Sequence, residues 1–151
     1  MAEEPAELKE YVINKIGEDG QPFADKSSEN YTGKANVQYP NGDVYDGDFK
    51  NGIREGEGTM TYGETGNKYE GQWKKGVKKG KGIYYYFDGD IYDGNWKNGK
   101  PNGEGIFYKK NGNEFIGIWK TINENIICEG IIKNKNKEII FEGEFNINEK
   151  L

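Results

Sequence analysis

The residues best suited to binding or catalysis lie between positions 69 and 86, where the sequence reads YEGQWKKGVKKGKGIYYY. Glycines here alternate with lysines and aromatic rings. Such a mixture suits a phosphate-holding glycine loop, a nucleic-acid patch, or one copy of a structural repeat. A phosphate loop needs four residues between its glycines and Ser or Thr after its lysine. Only three residues separate Gly76 from Gly80, and Gly82 follows Lys81, so the phosphate loop is rejected.

The chain contains no histidine, which limits the chemistry available to it. Neither a Ser/His nor a Cys/His nucleophilic site can be assembled, and the commonest zinc ligand is missing. Asp88, Asp90 and Asp93 lack the spacing of a calcium loop and fall in a predicted turn and strand start. We therefore predict no catalytic residues, no metal and no cofactor. A carboxylate-based hydrolase acting on sugars over the aromatic rings is the remaining enzymatic alternative.

Composition favours an unusual β-structure in one domain of 151 residues. Only 33% of the residues are hydrophobic, yet 14% are aromatic, 23 are glycine, and the mean hydropathy is −1.00. This balance is not typical of a disordered chain, which is usually short of aromatic residues, nor of a two-layer sandwich. It indicates a thin, extended sheet whose apolar surface consists mostly of rings.

The charge distribution limits the partners that the sequence predicts, and the lack of targeting signals limits the cellular compartment. Residues 1–30 hold eight acids and three lysines, whereas residues 31–151 carry 18 charges of each sign. A neutral body argues against nucleic acid as a partner, because phosphate affinity rises with the number of neutralised charges. No run approaches the about 18 apolar residues of a membrane span, and the N-terminus lacks signal-peptide regions. With a single cysteine, Cys128, these features predict a cytoplasmic protein.

An aromatic-x-Gly-x-aromatic frame recurs five times, with starts 24, 23, 23 and 26 residues apart. A second element, Gly-x-Gly followed by apolar residues, comes after each of the first three frames, and residues 31–44 form a half unit. Asn-Gly and Asp-Gly pairs separate the elements, as in β-hairpins. The frames are Tyr45-Gly47-Phe49, Tyr69-Gly71-Trp73, Tyr92-Gly94-Trp96, Phe115-Gly117-Trp119 and Phe141-Gly143-Phe145, where only the aromatic and glycine residues are named.

Repeated glycine inside strands requires a steric reason, because glycine weakens a strand. Strand alternation places the frame's rings and glycines on one face. We predict that a Tyr or Trp ring from a neighbouring strand covers the bare backbone of each glycine. The glycines of the stretch 69–86 are then spaces for rings.

This pattern resembles the MORN (membrane occupation and recognition nexus) repeat, most closely in YEGQWKKGVKKGKGIYYYFDG and YDGNWKNGKPNGEGIFYKKNG. The resemblance covers residues 31–145. It implies an all-β fold, an elongated single-layer antiparallel sheet of tandem hairpins. The predicted organisation is an acidic N-terminal extension, 1–30, and a repeat domain, 31–151, with repeats starting near 45, 69, 92 and 115 and a partial repeat from 141. The geometry of residues 120–140 is left open, because their loop is longer and one glycine is lost.

Two surfaces of the predicted sheet are candidate binding sites. A lysine cluster falls on one turn side, either as a solvated edge or as a site for an acidic protein tail or acidic lipid headgroup. On the face opposite the rings, apolar side chains have nothing in the single layer to cover them. The alternative is that residues 5–16 fold back over this face as a short amphipathic helix. The lysine edge comprises Lys74, Lys75, Lys78, Lys79 and Lys81, and the partner-binding face comprises Tyr85, Phe87, Ile106 and Tyr108.

The expected function is a non-enzymatic scaffold in a cytosolic assembly. MORN-repeat proteins lacking other domains are often parts of cilia, such as radial spokes, or of the cortical cytoskeleton. The resemblance therefore implies a cytoskeleton-associated location and partners that are other proteins of the assembly. A second copy of the chain is also a candidate partner, because the strand around Phe141–Phe145 presents an edge for strand addition. The alternative is a peripheral membrane adaptor that binds acidic phospholipids through the lysine edge.

Overall fold

Regular structure in the computed structural model, which describes residues 12–16, 22–25 and 30–147, consists of twelve β-strands. Only the backbone is described for the first two ranges. The strands are β1 (Val12–Ile16), β2 (Pro22–Asp25), β3 (Gly33–Gln38), β4 (Val44–Lys50), β5 (Ile53–Thr61), β6 (Lys68–Lys74), β7 (Val77–Tyr85), β8 (Ile91–Lys97), β9 (Lys100–Tyr108), β10 (Glu114–Ile122), β11 (Asn125–Lys133) and β12 (Ile139–Asn146).

The chain divides into two compact units, Met1–Val77 and Lys78–Leu151, called here the first and second units. In the first unit the strand order is β6-β5-β4-β3-β1-β2. In the second unit it is β12-β11-β10-β9-β8-β7, so every strand lies beside its neighbour in sequence. The paired strands within each unit are antiparallel. The predicted all-β class, a single antiparallel layer of hairpins, is confirmed.

The proposed N-terminal helix is wrong where the structure can be compared with it. Residues 12–16 form strand β1, which pairs with β3 through contacts such as Ile13 with Val37. Residues 5–11 lie outside the described ranges. The sequence Val-Ile-Asn-Lys-Ile is rich in β-branched residues, which suit a strand. The edge of β3 offers that strand a backbone partner, so pairing replaces the expected helix.

Register places the repeat glycines opposite one another. In the first unit, Gly47 pairs with Ala35 and Gly58, and Gly58 pairs with Gly71. In the second unit a longer row crosses six strands, formed by Gly82, Gly94, Gly105, Gly117, Gly130 and Gly143. Each unit therefore has a ring face, which carries the glycine row and the aromatic rings, and an opposite back face.

The two glycines of a Gly-x-Gly element have different structural roles. Gly56 and Gly103, each the first of its pair, have φ values of 88° and 100°, and both lie where the strand register shifts. Such bulges favour glycine because L side chains rarely adopt positive φ. In β11 the corresponding residue is Cys128, and the β10–β11 ladder runs unbroken for nine pairs. Because this glycine is missing, the bulge is missing too. The geometry that the sequence left open is therefore a regular hairpin between β10 and β11.

The second glycine of each pair makes room for a ring. A Cβ placed on Gly105 would lie 2.5 Å from the hydroxyl oxygen and 2.9 Å from Cζ of Tyr92, on the neighbouring strand. At Gly58 the obstructing ring is that of Tyr45, again across a strand pair. The predicted cover of glycine by a ring from a neighbouring strand is confirmed at these two positions. It is wrong at Gly117, where a Cβ would meet the Glu129 carbonyl and the Cys128 Sγ instead of a ring. These tyrosines and the repeat tryptophans are buried and form the core of a single sheet layer.

Candidate interaction surfaces

The polar atoms of the ring face bond to the protein's own backbone. The hydroxyl groups of Tyr45, Tyr69 and Tyr92 each donate to a carbonyl three residues along, at 2.9–3.1 Å. The indole Nε1 atoms donate across the strand pair at 2.9–3.0 Å, from Trp73 to Gly58, Trp96 to Gly82 and Trp119 to Gly105. Burial raises the pKa of all three tyrosines above the ordinary value. The frame residues therefore serve as a core rather than as a sugar platform.

A cation occupies the ring face of the first unit, which sequence reasoning missed. The guanidinium carbon of Arg54 lies 4.9 Å from the Trp73 ring centre and 5.8 Å from that of Tyr45. Arg54 donates to the Gly76 carbonyl at 2.9 Å and to the Tyr39 hydroxyl at 3.3 Å. Its Nε is buried without a hydrogen-bond partner. Because guanidinium stays charged and stacks on rings, Arg54 stabilises the end of this ring face.

Lys78 holds the same repeat position in the second unit. Its Nζ lies 4.7 Å from the Tyr84 ring centre and 4.6 Å from that of Trp96. Burial lowers the pKa of Lys78 to about 8, and Lys100 adds to the effect. The prediction that Lys78 belongs to a solvent-facing lysine edge is wrong, since strand alternation turns this side chain toward the rings.

The other members of the predicted lysine edge divide between two settings. Lys74 forms an ion pair with Glu55 at 2.7 Å, and the backbone N–H of Lys75 donates to the same carboxylate at 2.8 Å. These two contacts hold the pKa of Glu55 below its ordinary value. Lys79 and Lys81 are exposed on β7. One carboxylate therefore neutralises part of the cluster, and only Lys79 and Lys81 extend along the back face of the second unit.

The back face of the second unit carries two rows rich in isoleucine and tyrosine, with charged residues such as Asp93 and Glu114 among them. Tyr85, Ile91 and Tyr108 pair across three strands and form one row. The next row runs Ile83, Asp93, Ile106, Ile116 and Ile131. Three of the four predicted partner-binding residues, Tyr85, Ile106 and Tyr108, therefore lie on this face, with Ile91 of β8 between the two tyrosines. Phe87 lies beyond β7 in a hairpin turn, 82% exposed, next to this face rather than on a strand of it.

The back face of the first unit is polar at the same repeat positions. Thr59 and Thr61 stand where the second unit has Ile83 and Tyr85, and again Ile106 and Tyr108. Their cross-strand neighbours are Asp46 and Glu70 in one row and Val44 and Lys68 in the other. Two units with similar ring faces therefore present different surfaces on their back faces.

Two aspartates near the turn between β7 and β8, Asp88 and Asp90, bond within the fold. Asp90 is only 2% exposed; its carboxylate pairs with the Lys109 ammonium at 2.9 Å and accepts the Lys110 N–H at 2.8 Å. Asp88 accepts the Asp90 N–H at 3.1 Å. Within the described ranges, no group of three or more His, Cys, Asp or Glu residues is placed to hold a metal ion. These aspartates close hairpin turns.

The β12 strand carries the most exposed aliphatic segment of the second unit. Ile139 and Ile140 are 59% and 56% exposed, and Phe141 is 44% exposed. Among the strands of residues 30–147, β12 pairs only with β11. Its outer backbone groups are suited to strand addition, as the sequence predicted.

The geometry defines a class of protein, a tandem repeat of β-hairpins with rings packed over a row of glycines. A family model described as the MORN repeat matches residues 45–64, 69–91 and 92–114. The chain is a MORN-repeat protein. No curated protein matches it significantly. In the part of the chain that the structure describes, no helix has the length and apolar character to cross a membrane.

Proposed function

We propose that this protein is a non-enzymatic scaffold that docks partner proteins on the back face of its second unit. The chain is a MORN-repeat module, a class that generally serves in protein or membrane interaction and is typically non-catalytic. The observation that carries the proposal is the contrast at matched repeat positions. Thr59 and Thr61 face outward in the first unit, whereas Ile106 and Tyr108 do so in the second.

The apolar rows support docking for a physical reason. A contiguous apolar patch on a soluble protein commonly marks an interaction site. Isoleucine and tyrosine side chains that stand in register on neighbouring strands present such a patch without a conformational change. Burying them against a partner releases roughly 25 cal/mol for each Å² of apolar surface removed from water.

The assembly we propose is cytoskeletal, of a cilium or of the cell cortex, with the protein in the cytoplasm. The support for this part of the proposal is the resemblance to MORN-repeat proteins that lack other domains. The partners are other proteins of that assembly. Purification of the protein with its neighbours from native cells, followed by mass spectrometry, tests the location: recovery without cytoskeletal components contradicts it.

A membrane role has narrower support. Lys79, Lys81 and Lys97 are exposed on the back face of the second unit, where they could meet acidic headgroups. Lys74, however, is paired with Glu55, and Lys78 lies over aromatic rings. Co-sedimentation with vesicles containing acidic phospholipid at low salt decides the matter. Sedimentation that disappears in the variant Lys79→Glu with Lys81→Glu supports the membrane role, and no sedimentation of the wild type contradicts it.

The docking face is tested by substituting its two tyrosines. We expect Tyr85→Ser with Tyr108→Ser to abolish recovery of partner proteins, while the far-ultraviolet circular dichroism spectrum is unchanged. The matched control is Thr59→Ser with Thr61→Ser on the back face of the first unit, which should recover the same partners as the wild type. Undiminished recovery by the tyrosine variant overturns this docking face.

A further inference from the structure

Strand β12 carries the first half of a repeat, and among the described strands it pairs only with β11. Its residues Phe141, Gly143 and Phe145 match the aromatic–glycine–aromatic frames of β4 and β8. In those two strands the first aromatic residue, Tyr45 or Tyr92, is 0% exposed and covers a glycine of the following strand. Phe141 is instead 44% exposed. Within the described ranges, β12 therefore has the ring without the glycine-bearing strand that such a ring covers elsewhere.

The outer side of β12 presents its backbone groups in a regular order. The Ile147 N–H donates to the Ile126 carbonyl at 3.1 Å, so these two residues form a hydrogen-bonded pair that continues the β11–β12 ladder. Residues two apart in an antiparallel strand direct their N–H and C=O groups to the same side. Gly143 therefore bonds toward β11, whereas Glu142 and Glu144 direct their N–H and C=O groups outward. An added strand would bond at these two residues.

The side chains of Glu142 and Glu144 give this edge a negative charge. Both are exposed, and strand alternation places them on the back face. Across the ladder, Glu144 lies opposite Glu129, and its carboxylate is 3.6 Å from the Lys120 ammonium. Like charges directly opposite each other destabilise a strand pair, so the two glutamates favour cations beside them. A strand with basic residues opposite Glu142 and Glu144 would therefore complement this edge.

We propose that the outer edge of β12 binds an extended segment of a partner protein in which a glycine lies between two basic residues. The segment adds as an antiparallel strand, with its glycine opposite Gly143 and its Lys or Arg residues opposite Glu142 and Glu144. The residue two places after the glycine is apolar and lies beside Phe141. This site is separate from the docking face proposed above, and neither depends on the other.

Close approach of the two strands explains why the segment needs a glycine. In the second unit Gly94 faces Gly105, and a Cβ on Gly94 would lie 2.6 Å from the Gly105 Cα. Gly117 faces Gly130 in the same way, and a Cβ on Gly130 would lie 2.7 Å from the Gly117 Cα. A segment that approaches Gly143 as closely must also carry glycine at the facing position.

The charges disfavour a second copy of the chain at this edge. If two β12 strands paired with Gly143 opposite Gly143, Glu142 of each copy would face Glu144 of the other. Both pairs are of like charge, which destabilises the ladder. Strand β2, at the other end of the described strand order, reads Pro-Phe-Ala-Asp and offers neither a glycine nor a basic residue. A basic, glycine-containing segment of another protein meets both requirements.

A short peptide tests this recognition. The probe is the peptide TVKGKFT, labelled with fluorescein at its N-terminus, and fluorescence anisotropy measures its binding to the full chain. We expect saturable binding by the wild type. The peptides TVEGEFT and TVKVKFT should bind about tenfold more weakly or worse, because the first repels the glutamates and the second places a side chain against Phe141. A wild type that does not bind TVKGKFT contradicts the proposal.

Charge exchange on the protein tests the position of the site. Glu142→Lys with Glu144→Lys should weaken binding of TVKGKFT about tenfold or more and should bind TVEGEFT instead. The control Glu57→Lys with Glu64→Lys makes the same change of net charge at exposed positions of the first unit. It should bind TVKGKFT within about twofold of the wild type, because solvent screens distant charges. Equal weakening by this control contradicts the proposal. Circular dichroism confirms that each variant is folded.

Methylation of the peptide backbone separates strand addition from simple attraction between charges. One form of TVKGKFT carries N-methyl groups on both lysine amides, and the other carries one on the glycine amide. The lysine amides donate to β12 opposite Glu142 and Glu144, so their methylation should abolish binding. The glycine amide points away from β12, so its methylation should change the affinity by less than about twofold. Equal affinities of the two methylated peptides contradict strand addition.

The outcome for this site can be told apart from that for the docking face. Tyr85→Ser with Tyr108→Ser should bind TVKGKFT as the wild type does. If this variant still recovers every partner while the peptide binds, the docking face fails and the β12 site stands. If the variant loses its partners and the wild type does not bind the peptide, the β12 site fails and the docking face stands.

Light scattering coupled to size-exclusion chromatography tests the second copy as the alternative occupant. We expect no pairing of the wild type through β12. In a β12–β12 pair, Glu142→Lys alone would place unlike charges opposite each other, at Lys or Glu of the two strands. A wild-type dimer that Glu142→Lys strengthens would therefore overturn the proposal and identify a second copy at this edge.

Discussion

The first and second units have the same construction on one face and different surfaces on the other. On the ring face, Tyr45 covers Gly58 in the first unit as Tyr92 covers Gly105 in the second. On the back face, the residues at matched positions change from Thr59 to Ile106. The repeat therefore constrains only one side of each strand. The other side can differ between units, and in the second unit it carries rows rich in isoleucine and tyrosine.

The reason for this division is the space available on each face. A Cβ added to Gly94 would meet the Gly105 Cα and the Tyr92 hydroxyl at 2.6 Å, so a side chain there has no room. A back-face side chain stands on a single layer and meets only its neighbours in the same sheet. Substitutions on the ring face therefore reduce stability, whereas substitutions on the back face change it little. One repeat can for this reason carry different binding surfaces.

The largest expected effect concerns the glycines under the rings. Gly58→Val and Gly105→Val should each destabilise the protein by about 3 kcal/mol, because the new side chain displaces Tyr45 or Tyr92 from the core. Thermal or urea unfolding measures both changes. Gly99→Asn is the control, since φ is 76° and a Cβ there meets nothing within 4 Å. Destabilisation in only one unit would show that the two ring faces differ.

The second effect compares the two cations at the matched position. Lys78 has a pKa of about 8 when folded, below its ordinary 10.5. Between these values the unfolded chain binds more protons, so stability rises with pH there, and below pH 8 the burial penalty is complete. Lys78→Met should therefore be more stable than wild type at neutral pH, by an advantage that shrinks by about 3 kcal/mol as pH rises toward 10.5.

Arg54→Met provides the matched comparison for Lys78→Met. Arginine stays protonated throughout this range, so the stability difference between Arg54→Met and wild type should be independent of pH from 8 to 10.5. Subtracting the wild-type curve removes the tyrosine titrations common to all three proteins. A flat difference for Lys78→Met would mean that contact with the Tyr84 and Trp96 rings restores the ordinary lysine pKa.

A smaller effect should follow loss of the indole hydrogen bonds. Trp73→Phe and Trp96→Phe each leave a glycine carbonyl without its donor, at Gly58 and Gly82. We expect each to cost about 1–2 kcal/mol, from the lost bond and the smaller ring. Chemical unfolding of the two variants side by side measures the costs. A difference between them larger than about 1 kcal/mol would contradict equivalent ring faces.

The smallest change in stability is expected on the back faces. Giving each unit the residue that the other has at the matched position tests whether the two back faces differ in apolar character. Thr59→Ile and Ile106→Thr should each alter the free energy of unfolding by about 0.5–1 kcal/mol or less. Binding of a fluorescent hydrophobic dye should rise with Thr59→Ile and fall with Ile106→Thr. Unchanged dye binding by Ile106→Thr would show that the apolar row is not accessible in solution.

The hairpin frame could be predicted from the amino-acid sequence because its signals are local. Asn-Gly and Asp-Gly turns, together with rings and glycines two residues apart, determine strand limits, register and the buried face. The outward positions of Tyr85, Ile106 and Tyr108 followed from the same alternation. The predicted helix over residues 5–16 failed at Val12–Ile16, because strand preference there is satisfied by a partner, β3, that lies 20 or more residues away.

The tertiary structure determined the features that depend on residues of neighbouring strands, namely side-chain contacts, ion pairs and bulges. It turned Lys78 onto the Tyr84 and Trp96 rings and paired Lys74 with Glu55, although all the lysines of this cluster look alike in sequence. It assigned the bulge to Gly103 and the unbroken ladder to Cys128, whose thiol pKa burial raises to about 12. It also placed β7 and β12 at opposite ends of the strand order of the second unit. These features depend on cross-strand contacts and burial, which only the paired strands create.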